Sequence, residues 1–98
     1  MPLSSRQKRF LRGEAHARHP LVRVGGNGLT AAVLSALDEA LEHHELVKVR
    51  IEEADRDGRA RLAEDACQRA GAELVQLLGG VATCYRRHPS EPRLVLPA

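Results

Sequence analysis

The chain has 98 residues, 43% of them hydrophobic and 29% charged, which fits one globular domain and is too short for two stable ones. No run of residues approaches the roughly 18 to 20 apolar positions of a membrane-spanning helix. With one Phe, one Tyr and no Trp, the chain cannot present the several exposed rings on which a row of nucleic-acid bases would stack.

Charge is distributed unevenly along the chain. Residues 1–28 carry a net charge of +5, residues 29–85 a net charge of −5, and residues 86–98 a net charge of +2. The first residues lack the apolar core of a signal peptide, so we expect a cytoplasmic protein in which Cys67 and Cys84 are reduced thiols. Their spacing fits neither a disulfide framework nor a zinc site.

The first predicted element is an amphipathic helix that is capped by Ser4 or Ser5 and runs to about Ala17. Its apolar positions share one arc, and its basic positions share the opposite arc. The apolar set is Leu3, Phe10, Leu11 and Ala15, and the basic set is Arg6, Lys8, Arg9 and Arg12. Pro20 ends the helix, and residues 21–24 then predict a short strand.

A second helix is predicted from about Thr30 to His43. One of its faces is apolar, with Val33, Leu34, Leu37 and Leu41, and its outward face carries the acids Asp38, Glu39 and Glu42. Residues 46–51 alternate between apolar and basic side chains, which is typical of a strand with one buried face. Val47, Val49 and Ile51 should therefore face a core, while Lys48 and Arg50 share the other side.

The rest of the chain predicts a loop at residues 55–58, a third helix to about Ala70 that Gly71 ends, and strands over residues 72–78 and 81–86. Gly79 and Gly80 predict the hairpin turn between these strands. Residues 87–98 should be mostly irregular, with residues 94–96 as a candidate edge. The order α-β-α-β-α-β-β predicts a single α+β domain over residues 1–98, in which helices and a four-stranded mixed sheet form two layers. Nothing in the sequence argues against a monomer.

The most informative segment is the glycine run Gly25, Gly26, Asn27 and Gly28, between a strand and the amino terminus of a helix. Glycine lets the backbone approach a ligand closely, and the N–H groups and positive dipole end of the helix attract phosphate. A tight turn without a ligand remains the alternative. Residues 26–31 also match the G-x-G-x-x-A dinucleotide fingerprint, but the predicted hairpin and the absence of an acid at the required offset argue against a nucleotide cofactor.

Basic side chains form the second candidate feature. Phosphate-binding residues are predicted on the first helix and on the first two strands; they are Arg6, Lys8, Arg9, Arg12, Arg23, Lys48 and Arg50. If they converge near the glycine run, they would create a surface whose affinity for nucleic acid falls steeply with salt. Solubilising surface charge is the alternative for any single residue in this set.

Enzymatic chemistry is not indicated. His16 and His19 lie at a helix end and His43 and His44 are adjacent, but no carboxylate pair or activated nucleophile occurs at a spacing that catalysis needs. A His-x-x-His spacing alone does not make a metal site. We therefore expect no catalytic residues, no metal and no cofactor.

Several motifs in order resemble the CRM domain family in its bacterial stand-alone, YhbY-like form. The resemblance covers nearly the whole chain and is carried by residues 24–30, residues 40–49, the opening residues 3–8 and the late run Cys84-Tyr85-Arg86-Arg87. It implies a fold similar to the carboxy-terminal domain of the third bacterial initiation factor. It also implies RNA binding, linked in bacteria to maturation of the large ribosomal subunit and in plant organelles to group II intron splicing.

The family's G-x-x-G loop, likened to that of KH domains, maps onto residues 25–28. The two middle positions often carry a basic residue in the family, whereas here they are Gly26 and Asn27. Backbone N–H groups and neighbouring Arg and Lys would then make any contact, and recognition would depend on RNA shape and phosphate pattern more than on splayed bases. An adaptor that docks on a ribosomal protein through Asp38, Glu39 and Glu42 is the alternative from another functional class.

Overall fold

Alternating apolar residues build the strands, and apolar residues at helical spacing build the helices that cover them. The computed structural model describes residues 2–98. Its elements are α1 (Ser5–Ala15), β1 (Val22–Val24), α2 (Ala31–His44), β2 (Leu46–Ile51), α3 (Arg56–Arg69), β3 (Glu73–Leu78) and β4 (Val81–Tyr85). The predicted α+β class and element order are confirmed. None of the helices in residues 2–98 has the length and apolar character needed to cross a membrane.

The sheet has the strand order β1-β2-β4-β3. β2 pairs in parallel with β1 and antiparallel with β4, and β4 also pairs antiparallel with β3. The parallel pair requires a crossover, which α2 provides, whereas β3 and β4 need only the two-residue turn at Gly79 and Gly80. Gly79 has a φ of +59°, so a glycine suits this turn. The result is the mixed four-stranded sheet that the sequence predicts.

The first face of the sheet packs against α2 and α3. Val47, Val49 and Ile51 of β2 are buried there, as their alternation predicts. Leu37 and Leu41 of α2 cover them, and α3 contributes the small residues Ala63, Ala66 and Cys67. Small side chains let α3 lie close to the sheet. This layer of two helices on one sheet face forms the main core.

The second face of the sheet carries α1 at one end. Leu11 and Ala15 of α1 pack against Leu46, Val75 and Tyr85 from three strands. Leu3 also fixes the start of the helix, because its N–H donates to both carboxylate oxygens of Glu73 at 2.9 and 2.8 Å. The helix covers only the end of the second face around Leu46 and Tyr85, and it leaves the rest of that face open.

Two helix boundaries differ from the sequence prediction. α1 ends at Ala15 instead of about Ala17. The predicted loop at residues 55–58 is wrong for residues 56–58, which form the first turn of α3. The cause is Asp55, whose carboxylate accepts the N–H of Gly58 at 2.8 Å and so caps the helix amino terminus. At the other end Gly71 has a φ of +66°, in agreement with its predicted role.

Cys67 of α3 and Cys84 of β4 meet in the main core. Both are free thiols, and their Sγ atoms lie 2.8 Å apart although 17 positions separate them in sequence. The shared hydrogen bond with Cys67, together with burial, raises the pKa of Cys84 far above its usual range. The spacing of Cys67 and Cys84 in the sequence does not reveal this contact, because it forms only when α3 packs on the sheet.

Glu45 fastens the carboxy-terminal segment to the domain. It ends α2 with a φ of +62°, and only 1% of its surface is exposed. Its carboxylate accepts three backbone N–H groups, from His88 at 2.8 Å, Arg93 at 2.8 Å and Leu94 at 2.9 Å. Residues 87–98 are irregular, and residues 94–96 form no strand. These bonds hold the segment in place so that Leu94 and Leu96 pack beside α1.

Burial alone would raise the pKa of Glu45, but the hydrogen bonds from His88, Leu94 and Arg93 outweigh it and hold the pKa below its usual range. A carboxyl group with a lowered pKa in the folded state stabilises the protein at pH values above its unfolded pKa, which is about 4.3. That contribution is lost as the pH falls through the folded-state pKa. Glu45 therefore contributes a stability that is greatest near neutral pH.

We expect Glu45→Gln to lower the free energy of unfolding by about 2 kcal/mol at pH 7, because a single amide oxygen cannot accept three N–H groups. Urea unfolding followed by circular dichroism measures this change. The control is Glu39→Gln, which removes an exposed carboxylate of the same helix and should change stability by less than about 0.5 kcal/mol. The difference between Glu45→Gln and wild type should shrink below about pH 4; a difference independent of pH would contradict the role of the charge.

Candidate nucleic-acid interface

The glycine loop, residues 25–28, connects β1 to α2 in a tight turn. The Gly28 N–H donates to the Gly25 carbonyl at 3.0 Å, and Gly28 has a φ of +71°, which favours glycine. The next element starts at Thr30, whose hydroxyl accepts the N–H of Val33 at 3.2 Å and caps α2. Within residues 2–98 the N–H groups of Gly26 and Asn27 have no hydrogen-bond partner. The exposed middle of the loop therefore has free backbone donors beside a helix amino terminus.

The loop shares one edge of the sheet with the β3–β4 turn. Val24, the last residue of β1, is in register with Ile51, the last residue of β2. The Ile51 N–H in turn donates to the Gly80 carbonyl at 2.7 Å. We call this boundary the loop edge: it contains residues 25–28, the end of β2 and the turn at Gly79 and Gly80. The two faces of the sheet meet along it.

On the side of the first face, the loop borders an acidic cleft. Residues 25–28 line a cavity of about 720 Å³ together with one side of α3, from Gly58 to Gln68. Four carboxylates and one guanidinium also line it; they belong to Glu52, Glu53, Glu64, Asp65 and Arg61. A phosphate group would be repelled by this set. The predicted phosphate contact is therefore disfavoured from the α3 side of the loop.

On the side of the second face, the strands carry basic side chains. Val22 and Val24 are buried in the main core, so Arg23 between them points to the second face, where it is in register with Arg50. Lys48 lies on the same face, two residues before Arg50. The three predicted strand residues are thus brought together, and the open part of the second face is basic.

Arg23 differs from its two neighbours because it is paired. Its guanidinium forms a salt bridge and hydrogen bond with Glu52, and this contact raises the pKa of Arg23 and lowers the pKa of Glu52. Within residues 2–98 neither Lys48 nor Arg50 forms a salt bridge. These two cations therefore form no ion pair in the described part of the chain, although the charge of Arg50 also helps to lower the pKa of Glu52.

The basic residues of α1 divide into two groups. Gln7 donates to the Pro97 carbonyl at 3.0 Å, so one flank of the helix contacts the carboxy-terminal segment. At about 100° per residue, Lys8 and Arg12 lie on the flank opposite Gln7. Arg6 and Arg9 lie on the side away from Leu11 and are exposed. Arg12 is exposed as well, so three of the four predicted residues of α1 are in solvent and Lys8 is half-buried.

Aromatic stacking on this surface is more restricted than the sequence suggests. Tyr85, the one tyrosine of the chain, is only 6% exposed beneath α1, where it packs in one cluster with Leu11 and Leu46. Its hydroxyl is buried and has no hydrogen-bond partner within residues 2–98. Burial raises the pKa of Tyr85. Tyr85 therefore offers no exposed ring on which a base could stack.

The acidic face of α2 is partly engaged inside the molecule. Arg86, which follows β4, donates to a carboxylate oxygen of Asp38 at 2.7 Å and to the Ala70 carbonyl at 2.8 Å. Glu42 pairs with Arg86 at 3.5 Å and with His88 at 3.2 Å. Two of the three acids considered for a protein adaptor thus fasten the segment after β4, and only Glu39 has no side-chain partner within residues 2–98.

Two polar residues outside the predicted phosphate-binding set, Gln76 of β3 and Thr83 of β4, lie beside these cations. Both border the open part of the second face together with Lys48 and Arg50. Their polarity was visible in the sequence, but only the strand register places them next to Lys48. Among residues 2–98 there is no group of three or more His, Cys, Asp or Glu side chains that could hold a metal ion.

Comparison with known proteins identifies relatives along almost the whole chain. The model of the CRS1 / YhbY (CRM) domain matches residues 3–86. An RNA-binding protein of Haemophilus influenzae is 44% identical over 89 residues, which are 91% of this chain and 88% of the relative. A protein of Bacillus subtilis named "Probable RNA-binding protein" is 32% identical over 95 residues, 97% of this chain and 99% of the relative.

The fold is also known from experiment. The solution structure of a hypothetical protein from Staphylococcus aureus matches with a TM-score of 0.86 and 32% identity, covering 98% of this chain and 100% of that one. The family match and the matching fold agree over the same residues. The matched residues include the glycine loop, β2 and the run that ends β4. The chain therefore belongs to the CRS1/YhbY (CRM) domain family.

Proposed function

We propose that this protein binds RNA without catalysing a reaction, and that its ligand is structured ribosomal RNA during maturation of the large ribosomal subunit. It acts as a monomer in the cytoplasm. Family membership and the names of the relatives from Haemophilus influenzae and Bacillus subtilis support RNA as the ligand. The ribosomal setting rests on the resemblance to YhbY-like proteins.

The observation that carries the proposal is the open basic surface beside the glycine loop. Lys48 and Arg50 have no ionic partner within residues 2–98, and Arg23 lies next to Arg50 in the register of β1 and β2. Lys8 and Arg12, on the flank of α1 opposite the carboxy-terminal segment, would extend this surface. Cations without internal partners release condensed counterions when they bind phosphates, which supplies most of the affinity of a protein for a nucleic-acid backbone.

The glycine loop contributes backbone donors to this surface. The N–H groups of Gly26 and Asn27 are free, and the amino terminus of α2 adds a partial positive charge. Because the acidic cleft lies on the α3 side of the loop, the phosphate reaches the loop from the second face. The RNA backbone therefore runs along the loop edge with α1 and the open sheet face beside it.

Recognition on this surface depends mainly on shape. Tyr85 is buried and Phe10 is half-buried, so neither ring offers an exposed stacking platform. Phosphate contacts set the position of an RNA helix but carry little sequence information. We expect low sequence specificity for the isolated domain, and the selection of a single consensus sequence from a random RNA pool would contradict this expectation.

The loop is tested by the double substitution Gly26→Asp, Asn27→Asp. A Cβ atom at Gly26 has no neighbour within 4 Å, and neither position has a positive φ, so the fold should be kept. Two carboxylates at the loop should repel phosphate and weaken binding to a structured ribosomal RNA fragment at least tenfold, about 1.4 kcal/mol. Fluorescence anisotropy measures the affinity, and circular dichroism checks the fold.

The matched control for the loop variant is Ser35→Asp, Ala36→Asp, which adds the same charge at two exposed positions of α2. The control should bind RNA nearly as well as wild type, because α2 lies on the first face. If both variants lost the same RNA affinity, the cause would be the change in net charge and not a contact at the loop. Unchanged binding by the loop variant would remove the loop from the contact and leave the basic side chains alone.

The basic face is tested by its salt dependence. Lys48→Gln with Arg50→Gln should reduce the slope of log K against log salt by about 2, since each lost phosphate contact lowers it by about 1. The control is Arg56→Gln with Arg69→Gln, which removes the same charge from exposed positions on α3. Affinities measured at several salt concentrations give the slope. An equal change in the control would contradict a local contact at β2.

The ribosomal setting is tested in cells. The tagged protein should sediment with precursors of the large subunit, and nuclease digestion should release it because RNA makes the contact. The Lys48→Gln, Arg50→Gln variant should be depleted from the same fractions. Association that survives nuclease and depends on Glu39 would instead support a protein adaptor, since Glu39 is the acid of the α2 face without an internal partner.

A further inference from the structure

The open part of the second face contains a groove formed by two rows of residues across three strands. In the first row Lys48 of β2, Thr83 of β4 and Gln76 of β3 are in register. In the second row Arg50, Val81 and Leu78 are in register on the same three strands. Pro20 closes one side, and the cavity has a volume of about 210 Å³.

The polar side chains of the groove are left without partners. Thr83 lines the groove, and its hydroxyl makes no hydrogen bond within residues 2–98; among the described residues the Tyr85 hydroxyl, not this one, is the buried group without a partner. The amide of Gln76 and the charges of Lys48 and Arg50 also have no side-chain partner within these residues. Lys48 and Gln76 are half-buried and Arg50 is exposed, so these groups stay hydrated in the free protein and are available to a ligand. A ligand in the groove could form hydrogen bonds or ion pairs with the side chains of Lys48, Arg50, Gln76 and Thr83.

The chemistry of the groove changes from one side to the other. Cations occupy the β2 side, the Thr83 hydroxyl and the apolar side chain of Val81 lie in the middle, and Gln76 and Leu78 occupy the β3 side. Leu78 is 71% exposed, although it is a large apolar residue next to two cations. A ligand that fits this order is anionic at one end, flat and partly apolar in the middle, and able to form hydrogen bonds at its edge.

The dimensions match a single nucleotide. Neighbouring strands lie about 4.8 Å apart and positions two residues apart are about 6.6 Å apart, so the two rows span an area of about 10 by 7 Å. The cavity volume of about 210 Å³ is below the roughly 300 to 1,000 Å³ of a complete small-molecule site. The groove therefore suits one unit of a larger ligand.

We propose that this groove binds one unpaired nucleotide that projects from a helical RNA. Lys48 and Arg50 hold its phosphate, its base lies on Val81 and Leu78, and Gln76 and Thr83 form hydrogen bonds with the base edge or the ribose. A base inside a duplex is stacked on both faces and cannot enter the groove, so a bulged or flipped nucleotide is required. The inference rests on the proposed function. It adds a preference for helical RNA with an unpaired nucleotide, which phosphate contacts alone do not provide.

The test compares two RNA stems of the same sequence, one fully paired and one with a single bulged adenosine. Adenine is the probe because a glutamine amide can donate to and accept from its edge. The wild-type domain should bind the bulged stem about tenfold more tightly, as expected for one additional base contact. Fluorescence anisotropy at one fixed salt concentration measures both affinities.

The variant for this test is Gln76→Ala with Thr83→Val. Valine keeps the β-branched shape of threonine and removes only a hydroxyl without an internal partner, so the fold should be maintained. The variant should lose the preference for the bulged stem and keep its affinity for the paired stem, because Lys48 and Arg50 remain. The paired stem thus serves as the control for folding and for phosphate contacts.

The outcomes separate this inference from the proposed function. Equal binding of both stems by the wild-type domain would overturn the nucleotide groove and leave RNA binding intact. A preference for the bulged stem that persists in the Gln76→Ala, Thr83→Val variant would also overturn it, because the base would then lie elsewhere. Failure of the wild-type domain to bind either stem or any ribosomal RNA fragment would overturn both proposals.

Discussion

The pairing of β2 on both sides is the constraint on which the rest of the structure depends. β2 is held between β1 and β4, so its alternating side chains have fixed faces: Val47, Val49 and Ile51 enter the main core, and Lys48 and Arg50 stay on the second face. A shift of one residue would place the cations in the core and the apolar residues in solvent. The register that builds the core therefore also creates the basic surface.

The second face is divided because α1 covers only part of it. The contact of Leu3 with Glu73 and the packing of Leu11 on Leu46 hold α1 at one end of the sheet. Glu45 closes that end further by holding the carboxy-terminal segment beside α1. The remaining part of the sheet is covered by no element within residues 2–98, and apart from Arg23, which pairs with Glu52, its polar side chains make no ion pair or side-chain hydrogen bond there.

Local sequence signals predicted the elements well, whereas several contacts between distant residues escaped them. The apolar periodicity of each helix and strand acts within a few residues, so their order and the hairpin turn could be read directly. The loop predicted at residues 55–58 failed because Asp55 caps α3 with its side chain. The pairing of Arg23 with Glu52 and the burial of Tyr85 beneath α1 depend on the packed sheet, and no spacing in the sequence indicated them.

The sequence by itself determined the α+β class, the alternation of β2, the glycine loop between β1 and α2, and the resemblance to the CRM domain family. Only the tertiary structure decided where the charges lie relative to the loop. It placed the acids of α3 on one side of residues 25–28 and Lys48 and Arg50 on the other face of the sheet. Strand order, register and the position of α1 set this arrangement, because they join residues far apart in the chain whose mutual distances local periodicity does not encode.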